Sequence, residues 1–128
     1  MPHPNGRDFW ILSPENTGTM VEILVSAAGI GAATHLATGV AGADSNLTYF
    51  QLAASPDGKK LAMTLNFRGL LLWDFDSTTG ALSNHKVVAA GGAEGLPNYG
   101  AFYGVQFSPN GQRVYITSLY SNVVAEGN

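Results

Sequence analysis

The residues best suited to bind a metal ion lie in the stretch DFDSTTG. Asp74, Asp76 and Thr78 place oxygen-bearing side chains at alternate positions, as in the opening of a calcium-binding loop. Such a loop needs glycine at its sixth position and a bidentate glutamate at its twelfth, whereas here Gly80 comes one place late and His85 replaces the glutamate. The sequence therefore favours a tight turn with capping carboxylates over a metal site.

Other catalytic or ligand-binding patterns are incomplete. His3, His35 and His85 lie far apart in the sequence, and none has a second histidine or a carboxylate at a metal-ligand spacing. No serine lies in a G-x-S-x-G elbow, and Gly29 and Gly31 lack the third glycine and the helix of a dinucleotide site. The sequence predicts no catalytic, cofactor or metal residue, and we expect the histidines in exposed turns or at strand ends.

Composition limits the class of protein. The chain has 128 residues, 45% of them apolar and 12% charged, as expected for one folded domain. Its net charge is -3 and its six basic residues are scattered, which argues against nucleic-acid binding. The most apolar window, residues 20–33, contains Glu22 and is shorter than the roughly 20 residues of a membrane span, so we expect no membrane insertion. Residues 1–9 do not have the pattern of a signal peptide.

A turn motif of proline and glycine occurs three times, as HPNG from His3, SPDG from Ser55 and SPNG from Ser108. Ser55 follows His3 by 52 residues, and Ser108 follows Ser55 by 53. Proline fixes φ near -65° at the first central position, Asp or Asn tolerates the second, and glycine adopts the left-handed conformation. Each motif is therefore predicted to join two antiparallel strands in a hairpin.

Apolar residues alternate on both sides of these turns, as they do in half-buried strands. Phe9 and Ile11 share one face in RDFWIL, and Val114 and Ile116 share one in QRVYIT. In the middle copy, KKLAMTL is followed by a third strand in GLLLWDF, the turn DSTTG and an outer strand in HKVVAA. In the first copy, SAAG takes the place of DSTTG. Because helix is nearly absent from this interpretation, the chain is predicted to be all-β.

A repeat of about 50 residues made of four antiparallel strands is typical of a β-propeller blade. We predict a single partial β-propeller domain over residues 1–128, with about two to two and a half blades. The first blade covers about residues 3–40, the second about 48–90, and the start of the third about 101–128. Because blades cover one another's faces around a closed ring, we expect a fragment of a larger propeller, or self-association through open blade edges.

The strings SPDGKKLAM, LLLWDFDSTTGALSN and YGVQFSPNGQRVYIT resemble WD40-like and YVTN-like propeller repeats. They are most similar to the amino-terminal propeller of cell-surface proteins exported by the type IX, gliding-associated secretion system. The resemblance covers nearly the whole chain, and its motifs specify a blade without specifying an activity. It implies an extracellular or cell-surface scaffold, without enzymatic activity, for protein binding or cell-surface adhesion, with proteins or surface glycans as partners.

The same strings are also similar to the seven-bladed propellers of the lactonase type, which include 6-phosphogluconolactonase. This second resemblance implies hydrolysis of sugar lactones as the alternative function. No His, Glu and Arg constellation from that family can be assigned to residues of this chain. Both the scaffold and the lactonase stay open at this point.

Two long loops, GVAGADSNLT and AAGGAEGLPNYGAF, occupy the same place in successive repeats. Loops at one place in the repeat lie on one face of a propeller, and binding surfaces are commonly built from such loops. The sequence therefore predicts a partner-binding surface around Asp44, Asn46, Asn98 and Tyr99.

Overall fold

The computed structural model of the chain describes residues 1–16, 18–40, 50–65, 69–89 and 102–118. These residues form ten β-strands and no helix, which confirms the all-β prediction, and they contain no helix suited to span a membrane. The strands are β1 (Phe9–Asn16), β2 (Thr19–Ser26), β3 (Gly29–Ile30), β4 (Thr34–Ala37), β5 (Phe50–Ala54), β6 (Lys60–Leu65), β7 (Gly69–Phe75), β8 (Leu82–Ala89), β9 (Phe102–Phe107) and β10 (Val114–Ser118).

The strands form three antiparallel sheets, and none of the sheets closes on itself. In the first sheet, β2 pairs with β1 on one side and with both β3 and β4 on the other. The central sheet has the order β5-β6-β7-β8, and the third sheet pairs β9 with β10. Each sheet thus follows the chain as a meander of neighbouring strands, as the repeat predicts.

The three proline-glycine turns have the same backbone geometry. In each, the glycine amide donates to the carbonyl of the first residue of the motif, at 3.1, 2.9 and 2.8 Å in chain order. The amide of that first residue donates at 2.9 Å to the carbonyl five residues later in all three turns. The glycine φ values are +70°, +69° and +69°, in the left-handed region. The predicted repeat of one hairpin turn is therefore confirmed.

The central sheet is covered on both faces. One face packs around Met20 of β2 through large apolar side chains, namely Leu61, Met63, Leu65, Leu71 and Trp73. The opposite face carries Ala62 and Leu70, which form one cluster with Val105 and Phe107 of the third sheet. The three sheets are therefore stacked face to face, with β5–β8 in the middle.

The first sheet has one covered and one open face. Trp10 and Met20 are buried on the face toward the central sheet, and the Trp10 indole Nε1 donates to the Ser77 carbonyl at 2.8 Å. On the other face, Phe9 and Ile11 are exposed although they alternate as a strand predicts. The open face of this sheet is therefore apolar and lacks a neighbour among the described residues.

The outer strands differ from the predicted lengths. In the central sheet, β8 begins at Leu82, three residues before the predicted HKVVAA strand. In the first sheet, the outer strand is divided into β3 and β4, and the Gly31 amide between them donates to the Leu24 carbonyl at 2.8 Å. A side chain at Gly31 would meet that carbonyl oxygen at 2.9 Å, so the break depends on a close backbone approach that alternation cannot reveal.

Candidate functional site

A groove of about 580 Å³ lies at the end of the central sheet where the Ser55 turn and the turn between β7 and β8 meet. Both turns belong to this end because hairpins alternate between the two ends of an antiparallel meander. Pro4 of the first proline-glycine turn borders the same groove. Its other lining residues are Asp57, Lys59, Lys60, Asp74, Phe75, Asp76, Ser77 and Thr78.

The turn between β7 and β8 is held together by Asp76. Its backbone carbonyl accepts the amides of Thr79 and Gly80, at 3.2 and 2.7 Å. Its carboxylate accepts the Thr78 amide at 2.9 Å, and this bond lowers the pKa of Asp76. The capping role predicted for this carboxylate is therefore observed, and the described residues contain no group of three His, Cys, Asp or Glu side chains placed to hold a metal ion.

The Ser55 turn carries a second backbone-binding carboxylate. The Ser55 hydroxyl donates to Asp57 Oδ1 at 2.5 Å and accepts the Lys60 amide at 2.9 Å. The same Asp57 oxygen accepts the Lys59 amide at 3.1 Å. The hydrogen bond from Ser55 is the main cause of the lowered pKa of Asp57, with a smaller contribution from the Lys59 amide.

Asp74 is paired within the central sheet. The Lys60 ammonium donates to one carboxylate oxygen at 2.7 Å, and the Asn84 amide nitrogen donates to the other at 2.7 Å. These two bonds, in that order, lower the pKa of Asp74. The groove therefore holds three ionised carboxylates at neutral pH, each already bonded to backbone or to a neighbour, an arrangement that suits polar contacts and not proton donation.

The Ser55 turn and the Ser108 turn have matching side-chain hydrogen bonds. In the third turn, the Ser108 hydroxyl donates to Asn110 Oδ1 at 2.7 Å and accepts the Arg113 amide at 3.0 Å, as Ser55 does toward its own turn. No protein-family model, curated sequence or solved structure matches the chain. The internal repeat and the packing of its sheets are therefore the features of this chain that bear on its function.

The most deeply buried charged residue between the first and central sheets belongs to none of the sequence motifs. Glu22 of β2 is 5% exposed, and its Oε2 atom has no hydrogen-bond partner in the described part of the chain. Burial raises the pKa of this carboxyl group. Its oxygen atoms lie against Gly80, where an added Cβ would collide with them. Glu22 lies two residues from Met20 and two from Leu24, so strand alternation places all three side chains on the same face. This pattern in the sequence could have located Glu22 on the inner face.

The histidines differ among themselves. His3 lies in the first turn, and the exposed His35 contacts the Glu15 carboxylate at 3.0 Å. His85 departs from the prediction because it lies within β8, is half-buried and has its ring 6.2 Å from that of Trp73. The segment that follows β4 lies against it, since the His85 side chain packs near Gly39. Sequence spacing could not reveal this contact between distant parts of the chain.

The predicted partner-binding residues lie outside the described ranges. Asp44 and Asn46 fall in residues 41–49, and Asn98 and Tyr99 fall in residues 90–101. The groove at the turn end is built from other residues. The partner-binding surface therefore stays a prediction.

Proposed function

We propose that this chain is a section of a β-propeller that acts as a scaffold without enzymatic activity, binding proteins or surface glycans outside the cell or at its surface. The observation that carries the proposal is the stack of three sheets in which the same proline-glycine turn recurs and the central sheet is covered on both faces. Stacking of equivalent sheets through their faces is how propeller blades bury their apolar residues.

Hydrogen bonds between sheets support the proposal. Trp73 Nε1 donates to the Thr38 carbonyl at 2.7 Å, which joins the central sheet to the first. The Thr64 hydroxyl donates to the Tyr103 carbonyl at 2.5 Å, and Gln51 Oε1 accepts the Val105 amide at 2.8 Å, which join it to the third. Polar partners on both sides favour a fixed stack over loosely connected hairpins.

The three carboxylates of the groove are bonded to the turns and to the sheet around them. Asp57, Asp74 and Asp76 have lowered pKa values because each accepts hydrogen bonds from the turns or from the sheet. A general acid needs the opposite shift, toward the working pH. These carboxylates are therefore best explained as structural groups that shape the turn end.

A binding experiment tests the scaffold. The chain is immobilised and exposed to a panel of surface glycans and secreted proteins, beside a variant in which Asp44, Asn46, Asn98 and Tyr99 are all alanine. We expect the chain to retain at least one ligand class and the variant to lose it. Equal binding by both proteins would show that the binding surface lies outside these loops. Binding to no member of the panel would count against the scaffold.

A lactone assay tests the alternative function. Acid release from 6-phosphogluconolactone is followed at constant pH with and without the chain. We expect the uncatalysed rate in both cases. Turnover above that rate would replace the scaffold with the lactonase-type hydrolase.

A further inference from the structure

The open face of the first sheet has a covered counterpart in the same molecule. Ile11 of β1 and Met63 of β6 both lie eight residues after the first residue of their turns. Met63 is fully buried by the first sheet, whereas Ile11 is 52% exposed. The cross-strand pairs Ile11 with Ile23 and Phe9 with Val25 make this open face continuous and apolar. In the central sheet, the equivalent face is covered by the face of the neighbouring sheet of the repeat.

The third sheet carries the complementary feature. Tyr115 of β10 lies seven residues after Ser108, as Trp10 of β1 lies seven residues after His3. The Trp10 indole covers the central sheet, donates to the Ser77 carbonyl and meets the Phe75 ring edge-on at 6.4 Å. Tyr115 is also aromatic and has a hydroxyl donor, yet it is 57% exposed. It therefore occupies the position of a covering residue and has no sheet to cover within the described residues.

We propose that copies of this chain associate head to tail, with the β9–β10 face of one copy, which carries Tyr115, covering the first-sheet face of the next copy, which carries Phe9 and Ile11. The inference depends on the proposed stacking of repeat sheets and adds a partner to it, a second copy of this chain. Tyr115 then lies over the turn at residues 26–29, which corresponds to the turn that receives Trp10 in the central sheet. Because the two surfaces differ, the association continues until it closes into a ring or forms a longer assembly.

Sedimentation velocity of the full chain tests the inference. Between about 1 and about 100 µM, where weak protein contacts become populated, we expect the sedimentation coefficient to rise with concentration. Ile11→Lys and Tyr115→Lys each place a charge on one of the two surfaces, and each is expected to weaken association more than tenfold. Val88→Lys is the matched control because Val88 is 54% exposed on the outer strand of the central sheet. It should leave association unchanged.

Mixing the two variants separates head-to-tail association from symmetric pairing. The Ile11→Lys chain keeps the β9–β10 face, and the Tyr115→Lys chain keeps the first-sheet face. An equimolar mixture should therefore form a one-to-one dimer that does not grow further. Loss of association in Ile11→Lys alone would show that two first sheets pair with each other, and this result would overturn the inference.

A monomer at every concentration would also overturn the inference. Far-UV circular dichroism and urea unfolding of the same samples distinguish this failure from failure of the proposed function. A monomer with β-structure that unfolds cooperatively leaves the stacked scaffold in place. A chain without cooperative unfolding removes both.

Discussion

Ile11 and Met63 occupy the same place in two copies of the repeat and have opposite environments. Met63 is 0% exposed because the first sheet packs on it, and Ile11 is 52% exposed because no described sheet lies beyond it. Both belong to strands that follow the same turn and pair in the same antiparallel way. The comparison shows that alternation determines which face of a sheet is apolar, whereas stacking determines whether that face is buried.

The largest effect should come from removing a covered side chain. Met63→Ala leaves a cavity between the first and central sheets, and we expect it to lower the free energy of unfolding by about 2–5 kcal/mol. Ile11→Ala should cost less than about 1 kcal/mol because about half of the Ile11 side chain is already exposed to solvent. Urea unfolding at a concentration that keeps the chain monomeric measures both values. Equal losses in the two variants would contradict the difference in stacking.

Substitutions at two glycines distinguish a contact between sheets, at Gly80, from an open turn, at Gly58. Gly58 has a φ of +69° and no atom near an added Cβ, so Gly58→Ala should cost about 1–2 kcal/mol from the backbone conformation alone. Gly80 has a φ of +82° and faces the Glu22 carboxylate, so Gly80→Ala adds a collision and should cost more. Thermal unfolding of both variants measures the difference. If Gly80→Ala were the milder change, the first sheet would not lie against this turn.

The hydrogen bond from Trp10 should contribute less than these packing terms. Trp10→Phe keeps one aromatic ring but removes the donor to the Ser77 carbonyl and some buried volume, with an expected loss of about 1–2 kcal/mol. Tyr115→Phe is the matched change at the same place in the third sheet, and it should be near neutral in the monomer because Tyr115 is exposed. Urea unfolding of both variants provides the comparison. A loss in Tyr115→Phe as large as in Trp10→Phe would indicate that Tyr115 is covered.

The smallest effect is a difference in pH dependence between Glu22 and Asp57. The raised pKa of Glu22 means that its stabilising contribution is fully present below the ordinary value of 4.5 and is lost as the pH rises through the folded-state pKa. Glu22→Gln should therefore be more stable than the parent chain at neutral pH, with a smaller difference in acid. The ratio of the urea midpoints of Glu22→Gln and the parent chain, followed across pH, measures this effect. A stability for Glu22→Gln that follows the parent chain at every pH would show that the Glu22 carboxyl is not buried between the sheets.

Asp57 should have the opposite sign. Its pKa is lowered from 3.8, so its contribution is present above that value and is lost as the pH falls through the folded-state pKa. Asp57→Asn should therefore be destabilising at neutral pH and should lose that penalty in acid.

The turns and strand faces could be predicted from the sequence because they depend on local chemistry. Proline, an Asp or Asn and glycine specify one hairpin geometry wherever they occur, and all three copies adopt it. The pairing of β5 with β6 and of β6 with β7 also follows from a turn and an alternating strand. These features need no knowledge of distant residues.

Alternation places Glu22 on the inner face of its strand, but the groups that Glu22 and His85 contact could not be predicted, because these contacts join distant segments of the chain. Glu22 lies against Gly80, 58 residues later in the chain, and His85 packs near Gly39. No local pattern specifies which sheets stack or how they align. The groove was missed for the same reason, since Pro4 and Asp57 meet only when the first and central sheets are placed together.

The two tryptophans provide the most direct test of the stacking of equivalent sheets, because the chain has only two and each indole reaches the neighbouring sheet. In a nuclear Overhauser spectrum, the account predicts contacts from the Trp10 indole proton to Ser77 and Phe75, and from the Trp73 indole proton to Thr38. Indole protons that show contacts only within their own sheets would contradict the stacking and, with it, the scaffold proposed from it.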